Sequence, residues 1–215
     1  MKSETVSRLK IPVFLACLVP LGKLSLETFD LFGFHLGANP IEELLHRCGL
    51  WGLNFLLITL AVTPLRRILG WNWLIRFRRM SGLFAFFYLC LHFSIYFGLD
   101  HRFDFAAIGE DILKRPYITL GIAALTLLIP LALTSTKGMM RRLGRNWQKL
   151  HRLVYLAAIL GTWHFYWQVK KDVTEPLIYA VILAALLIWR LLAASQKKRR
   201  EASRTRSQSG EKIFQ

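Results

Sequence analysis

Apolar residues fall in six long blocks, near positions 9–30, 47–65, 79–99, 116–135, 149–168 and 176–194, separated by polar stretches. The blocks approach the roughly 20 residues that a helix needs to cross the hydrocarbon core of a bilayer. The first block is the weakest, because Lys23, Glu27 and Asp30 interrupt its second half. Lys2, Arg8 and Lys10 ahead of it are the kind of basic start that a signal peptide has, but no small-residue cleavage site follows, so the block reads as an anchor. The pattern predicts an all-α integral membrane protein: a short N-terminus over 1–8, a six-helix transmembrane domain over 9–194 and a polar tail over 195–215. A chain that is 54% hydrophobic with seven tryptophans agrees with that class.

Charge then orients the helices. The formal net charge is +16, which in a soluble chain would suggest a nucleic-acid partner. Here the cations are segregated instead. Segment 66–79 holds Arg66, Arg67, Arg76, Arg78 and Arg79, and segment 137–149 holds Lys137, Arg141, Arg142, Arg145 and Lys149, both without an acid. Segments 30–46 and 99–115 carry the acids Asp30, Glu42, Glu43, Asp100, Asp104, Glu110 and Asp111, and segment 169–175 balances Lys170 and Lys171 against Asp172 and Glu175. Every second loop is basic, which by the positive-inside rule places both termini in the cytoplasm and predicts membrane lipid, with no nucleic acid, as the basic surface's partner. The serine-rich, basic tail is expected to be disordered or to lie on anionic lipid. Cys17, Cys48 and Cys90 show no CxxC spacing and read as packing residues, and the chain shows no internal repeat.

The candidate chemistry lies in the histidines. With the third and fifth helices both running outward, His92 and His164 each sit about 20 Å up their helices at a rise of about 1.5 Å per residue. Two histidines at matching depth on parallel-running helices can be the two axial ligands of one haem iron. His151 lies near the cytoplasmic face, where the third helix offers Arg78, Arg79 and Met80 rather than a histidine. The expectation there is an inner haem on His151 whose other ligand is not histidine, with Arg78 and Arg79 as candidate propionate contacts, since guanidinium stays protonated and does not bind iron. His46, at the outer start of the second helix, could cap, hydrogen-bond a propionate or ligate. His35 and His101 lie in outer loops near acids and read as solvated. A proton channel or small transporter with a histidine relay is the alternative, but after the first helix the predicted spans contain no Asp or Glu between their ends.

Several stretches carry a more specific resemblance: ANPIEELLHRCGLWGLNFLLITLAVTPLR, IRFRRMSGL followed by LHFSIY, KRPYITLG, LALTSTKGMMRRLGRNWQKLHRLVYL and the later WHFYW. Over residues 38–194 the sequence resembles the MsrQ (formerly YedZ) family of the ferric-reductase-like transmembrane superfamily. The resemblance implies a multi-pass protein of the bacterial inner membrane that holds b-type haem, one or two, with His92, His151 and His164 as the iron ligands. It also implies FMN as a second cofactor and a periplasmic molybdopterin enzyme, MsrP, as the electron acceptor that reduces methionine sulfoxide in oxidised proteins. In such a system the chain is a non-catalytic electron-transfer subunit. No G-x-G-x-x-G fingerprint occurs, so no nicotinamide site of that kind is expected, and electrons are expected from the quinol pool or a cytosolic flavin reductase. The two basic loops and the tail could receive such a donor or a flavin phosphate, but ordinary positive-inside topology is the favoured account of their charge.

Overall fold

In the computed structural model, residues 7–169 and 171–211 are described, with side chains through Gln196 apart from residue 170. Most of the expected N-terminal segment, with Lys2, and also Lys170 and positions 212–215 lie outside the described residues. Along the described residues run the α-helices α1 (Lys10–Thr28), α2 (Pro40–Leu69), α3 (Ile75–Ile95), α4 (Phe105–Lys114), α5 (Pro116–Leu133), α6 (Lys137–Leu143), α7 (Arg145–Leu150), α8 (Leu153–Gln168) and α9 (Thr174–Glu211). A π-helical turn, Tyr96–Asp100, continues α3, and no strand occurs among the described residues. Helices α1, α2, α3 with its flanking turns, α5 and α9 are each long and apolar enough to cross a membrane.

Local chemistry moves several helix ends away from the edges of the apolar blocks. Helix α2 starts before its block because Asn39 caps it, its side chain accepting from Glu42 N at 3.4 Å, with Pro40 in the first turn and Glu42 and Glu43 facing the positive end of the helix dipole. It ends with Arg66 and Arg67 in the last turn and Gly70 in the left-handed region at φ 71°. The segment expected as an outer loop contains α4, capped by Asp104, whose Oδ1 accepts from Ala106 N and Ala107 N at 3.0 Å each. The fifth predicted span, 149–168, is interrupted at His151 and Arg152, where Arg152 N bonds Lys149 O and Tyr155 N bonds Arg152 O, leaving α8 with 16 residues. Helix α9 runs past residue 194 to Glu211 through the segment expected to be disordered, where Arg, Lys, Gln and Glu, which propagate helix well, alternate with serines.

Two antiparallel hairpins, α2 with α3 and α5 with α8, form the body of the bundle. Small residues let them approach: a Cβ on Gly52 would stand 2.6 Å from Leu89 Cγ, and Ala85, Ala157 and Ala158 are fully buried. Helix α1 packs on α3 through Phe14 against Phe84, ring centres 5.2 Å apart, and is fastened there by a hydrogen-bonded side chain. Tyr88, fully buried and stacked on Phe55, donates its hydroxyl proton to Cys17 O at 2.9 Å and accepts from Leu21 N at 3.1 Å. Leu21 N and Cys17 O are the pair that would otherwise close one helical hydrogen bond, so the phenol is inserted into the backbone ladder of α1 just beyond Pro20. The three cysteines are free thiols.

Candidate functional site

His92 on α3 and His164 on α8 face one another with ring centres 6.1 Å apart and planes at 78°. Each is fixed in the same way by the helix it packs against. His92 Nδ1 donates to Leu45 O at 2.8 Å, and a Cβ on Gly49 would lie 3.0 Å from that nitrogen. His164 Nδ1 donates to Tyr117 O at 2.7 Å, and a Cβ on Gly121 would lie 3.0 Å from it. Leu45, Gly49 and His92 stand 72 residues before Tyr117, Gly121 and His164 respectively, so the two hairpins repeat one arrangement. The repeat that the sequence does not display is thus present as a pair of seats. A backbone carbonyl that takes the Nδ1 proton selects the tautomer with a free lone pair on Nε2, as it does behind metal-bound histidines.

The pair lines a cavity of about 660 Å³, large enough for a cofactor. Leu53, Leu56, Leu89, Leu125, Leu128 and Gly161 make its deep part apolar, and Asp100, Arg115, Lys171 and Asp172 make its mouth charged. Asp111 holds the mouth together: it accepts from Arg115 Nε at 2.9 Å and Tyr96 OH at 3.2 Å and pairs with His101 Nε2 at 3.3 Å. Hydrogen bonding to Tyr117, joined by the charges of Tyr117 and Asp111, raises the Arg115 pKa above its ordinary value, so the guanidinium stays charged. Hydrogen bonds from the Thr174 side chain and backbone hold the Asp172 carboxyl below the usual range.

A haem fits what these residues offer. Two imidazoles that bind one iron at about 2 Å from each nitrogen hold their ring centres about 6 Å apart. No group of three or more His, Cys, Asp or Glu that could hold a metal ion occurs among the described residues. The apolar depth would take the ring, and Arg115 and Lys171 offer cations to its carboxylates.

The other predicted residues are placed as follows. His46 lines the same cavity, with its ring 5.7 Å from that of Phe165. His151 is elsewhere: its Nε2 lies 3.1 Å from Thr134 Oγ1, its ring is stacked on Trp147 at 3.9 Å, and Trp147 Nε1 donates to Thr134 O at 3.0 Å. The charge of half-buried Arg78 bears on His151, whereas Arg79 is exposed. His35 is exposed and pairs with Asp30 at 3.0 Å. His101, expected to be solvated, is only 17% exposed through its contact with Asp111. Gly49, Gly121, Arg115 and Lys171 were not singled out from sequence. The two glycines four residues after the carbonyls that hold the histidines were the available signal.

Residues 48–162 match the family described as ferric reductase like transmembrane component. Three relatives carry the name protein-methionine-sulfoxide reductase heme-binding subunit MsrQ. That of Rhodospirillum rubrum is 55% identical over 191 residues, 88% of this chain and 90% of the relative. That of Herminiimonas arsenicoxydans is 52% identical over 193 residues, 88% of this chain and 87% of the relative. That of Xanthomonas euvesicatoria is 50% identical over 206 residues, 94% of each. With identity at this level over most of both chains, and with the helices and the paired histidine seats that it shows, the chain belongs to the MsrQ family of ferric-reductase-like transmembrane proteins.

Proposed function

We propose that the chain is the haem-binding electron-transfer subunit of a protein-methionine-sulfoxide reductase system, with a b-type haem bound between His92 and His164. The observation that carries this reading is the pair of matched seats: two imidazoles 6.1 Å apart, each with Nδ1 committed to a backbone carbonyl and each lying on a glycine. A bound haem supplies a one-electron carrier whose potential is set by its ligands and surroundings. The chain's own residues do the rest. Leu45 O and Tyr117 O hold the rings, the leucines exclude water, and Arg115 and Lys171 anchor the carboxylates at the mouth. In this reading the protein crosses the bacterial inner membrane six times with both termini in the cytoplasm, α7 and α8 together making the fifth crossing. Its electrons come from a quinol or a cytosolic flavin reductase, with FMN as an added carrier, and leave to the periplasmic molybdopterin reductase MsrP. The purified protein should show a Soret band and an α band that sharpen on dithionite reduction; a colourless protein refutes the reading and restores the histidine-relay channel.

The inner site read from the sequence, with His151 as one iron ligand and Arg78 and Arg79 as propionate contacts, is the second part of the proposal. Iron binding there requires His151 Nε2 to give up its hydrogen bond with Thr134. Two haems per chain, falling to one in His151→Ala with the low-spin signal retained, support the inner site. One haem per chain, unchanged in His151→Ala, refutes it and leaves His151 as the pin of the α7–α8 turn.

A further inference from the structure

Pro64 lies inside α2 and has no N–H to give, so the carbonyl four residues back, Leu60 O, loses its partner within the helix. Arg190 of α9 supplies one. Its Nη2 donates to Leu60 O at 3.1 Å, its Nη1 donates to Tyr155 OH, and its guanidinium carbon lies 4.9 Å from the centre of the Tyr155 ring. A neutral donor would serve these bonds equally, and the charge is left over. Arg190 follows the first residue of α9, Thr174, by 16 positions, about 24 Å at a rise of about 1.5 Å per residue. That is still inside a hydrocarbon core of about 30 Å. An arginine at such a place is costly unless it is paired.

No carboxylate answers that charge. Among the described residues, Arg66, Arg67, Arg78 and Arg190 enter no ion pair, and the charges of Arg67 and Arg78 both bear on Arg190. Donors at the same end of the bundle are idle as well. Arg66 Nε, Arg190 Nε and Thr63 Oγ1 are three of the four buried side-chain polar atoms without a hydrogen-bond partner among the described residues. Thr59, Thr126 and Thr134 each donate to the carbonyl four residues back, at 2.8, 2.8 and 2.6 Å, and Thr63 does not. Leu60, Thr63 and Arg67 follow one another at spacings of three and four, hence on one face of α2. That face meets α9, where Arg67 lies over the Trp189 ring at 5.5 Å and Arg190 reaches Leu60 O.

Clustered cations with unused donors and no anion of the protein's own call for an anion from outside. A phosphate meets both needs, since it brings negative charge and several acceptor oxygens that a guanidinium binds in pairs. The flank of the cluster is apolar: Ile188, Leu191 and Leu192 on the same stretch of α9 are exposed and offer a surface to acyl chains. We propose that the end of α2, the start of α3 and α9 together bind the phosphate headgroup of one anionic phospholipid per chain, held by Arg66, Arg67, Arg190 and Thr63 and completing the packing of α9 on α2. Basic pockets between membrane helices take such headgroups. The loop arginines alone would follow from the insertion rule, which asks only for cations outside the spans. Arg190 lies within a span and answers to no such rule.

The test uses the full chain purified in dodecylmaltoside. Native mass spectrometry follows the retention of dioleoylphosphatidylglycerol and, separately, of dioleoylphosphatidylcholine, and thermal unfolding is recorded with each lipid and with inorganic phosphate. Wild type should hold one phosphatidylglycerol per chain at concentrations where phosphatidylcholine is lost, and should melt higher with it. Inorganic phosphate should not raise the melting temperature, because it has no chains to seat beside α9. Arg190→Gln and Arg66→Gln should each bind phosphatidylglycerol about tenfold more weakly, the factor expected for one charge-assisted hydrogen bond, with unfolding in detergent alone unchanged. The two arginines lie on different helices, so if one variant fails to fold the other decides. Equal retention of both lipids, or wild-type affinity in either variant that folds, overturns the proposal. Stabilisation by inorganic phosphate equal to that by phosphatidylglycerol assigns the arginines to a soluble phosphate and overturns the lipid.

Discussion

An imidazole that has given Nδ1–H to a backbone carbonyl has only Nε2 left to offer, and His92 and His164 are both in that state. Because they share one site, His92→Ala and His164→Ala should abolish the same low-spin haem signal in electron paramagnetic resonance; two different signals lost would separate them. His101→Ala should leave that spectrum unchanged, since His101 touches Asp111, Asp100 and the Tyr96 ring and does not itself line the histidine cavity. Gly49→Ala or Gly121→Ala should be nearly as informative, because the added methyl group meets a ring nitrogen at 3.0 Å and must displace it. Overpacking of this kind costs about 1–3 kcal/mol, and it should appear as shifted low-spin g-values and reduced haem retention. The histidines were legible in the sequence because an imidazole among apolar residues stands out. The glycines were not, since a glycine in a membrane helix is unremarkable until the ring that lies on it is seen.

At the scale of the elements, the phenol wedged into α1 gives an unusual expectation. Tyr88→Phe removes two hydrogen bonds, yet Leu21 N and Cys17 O can then bond each other and close the ladder. Thermal unfolding in detergent should therefore shift by the equivalent of no more than about 1 kcal/mol, close to the net worth of one hydrogen bond. Tyr88→Ala, which also empties a fully buried site packed on Phe55, should cost about 3–5 kcal/mol. Apolar blocks announced the spanning helices because a lipid-facing helix has to be apolar along its length. Their ends were harder to see, because caps decide them: Asn39 and Pro40 start α2 before its apolar block begins. Helix α4 lay hidden in a polar loop for the same reason, its cap Asp104 being one acid among several.

For the whole molecule, the alternation of basic and acidic loops predicts how reporter fusions behave. Fusions at residue 140 and after 200 should report cytoplasm, and those at 38, 105 and 172 periplasm. A periplasmic signal at 140 would invert the bundle and with it the side from which the histidine cavity opens. Helix order and class were readable from hydropathy and charge, whereas the twofold likeness of the hairpins was not, because it resides in spacing and backbone contacts rather than in repeated residue types. That likeness also bears on how the protein is made. One histidine of the facing pair belongs to the first hairpin and the other to the second, and 72 residues separate them. At roughly 5–20 residues per second the ribosome needs roughly 4–14 s to go from one to the other. Throughout that interval the first hairpin holds a single seat, which cannot clamp an iron from both faces. A chain ended at residue 140 should accordingly insert in the membrane yet carry no six-coordinate haem. On the proposed reading, loading with haem would be an inspection at the end of synthesis, passed only by a chain whose second hairpin has reached the bilayer.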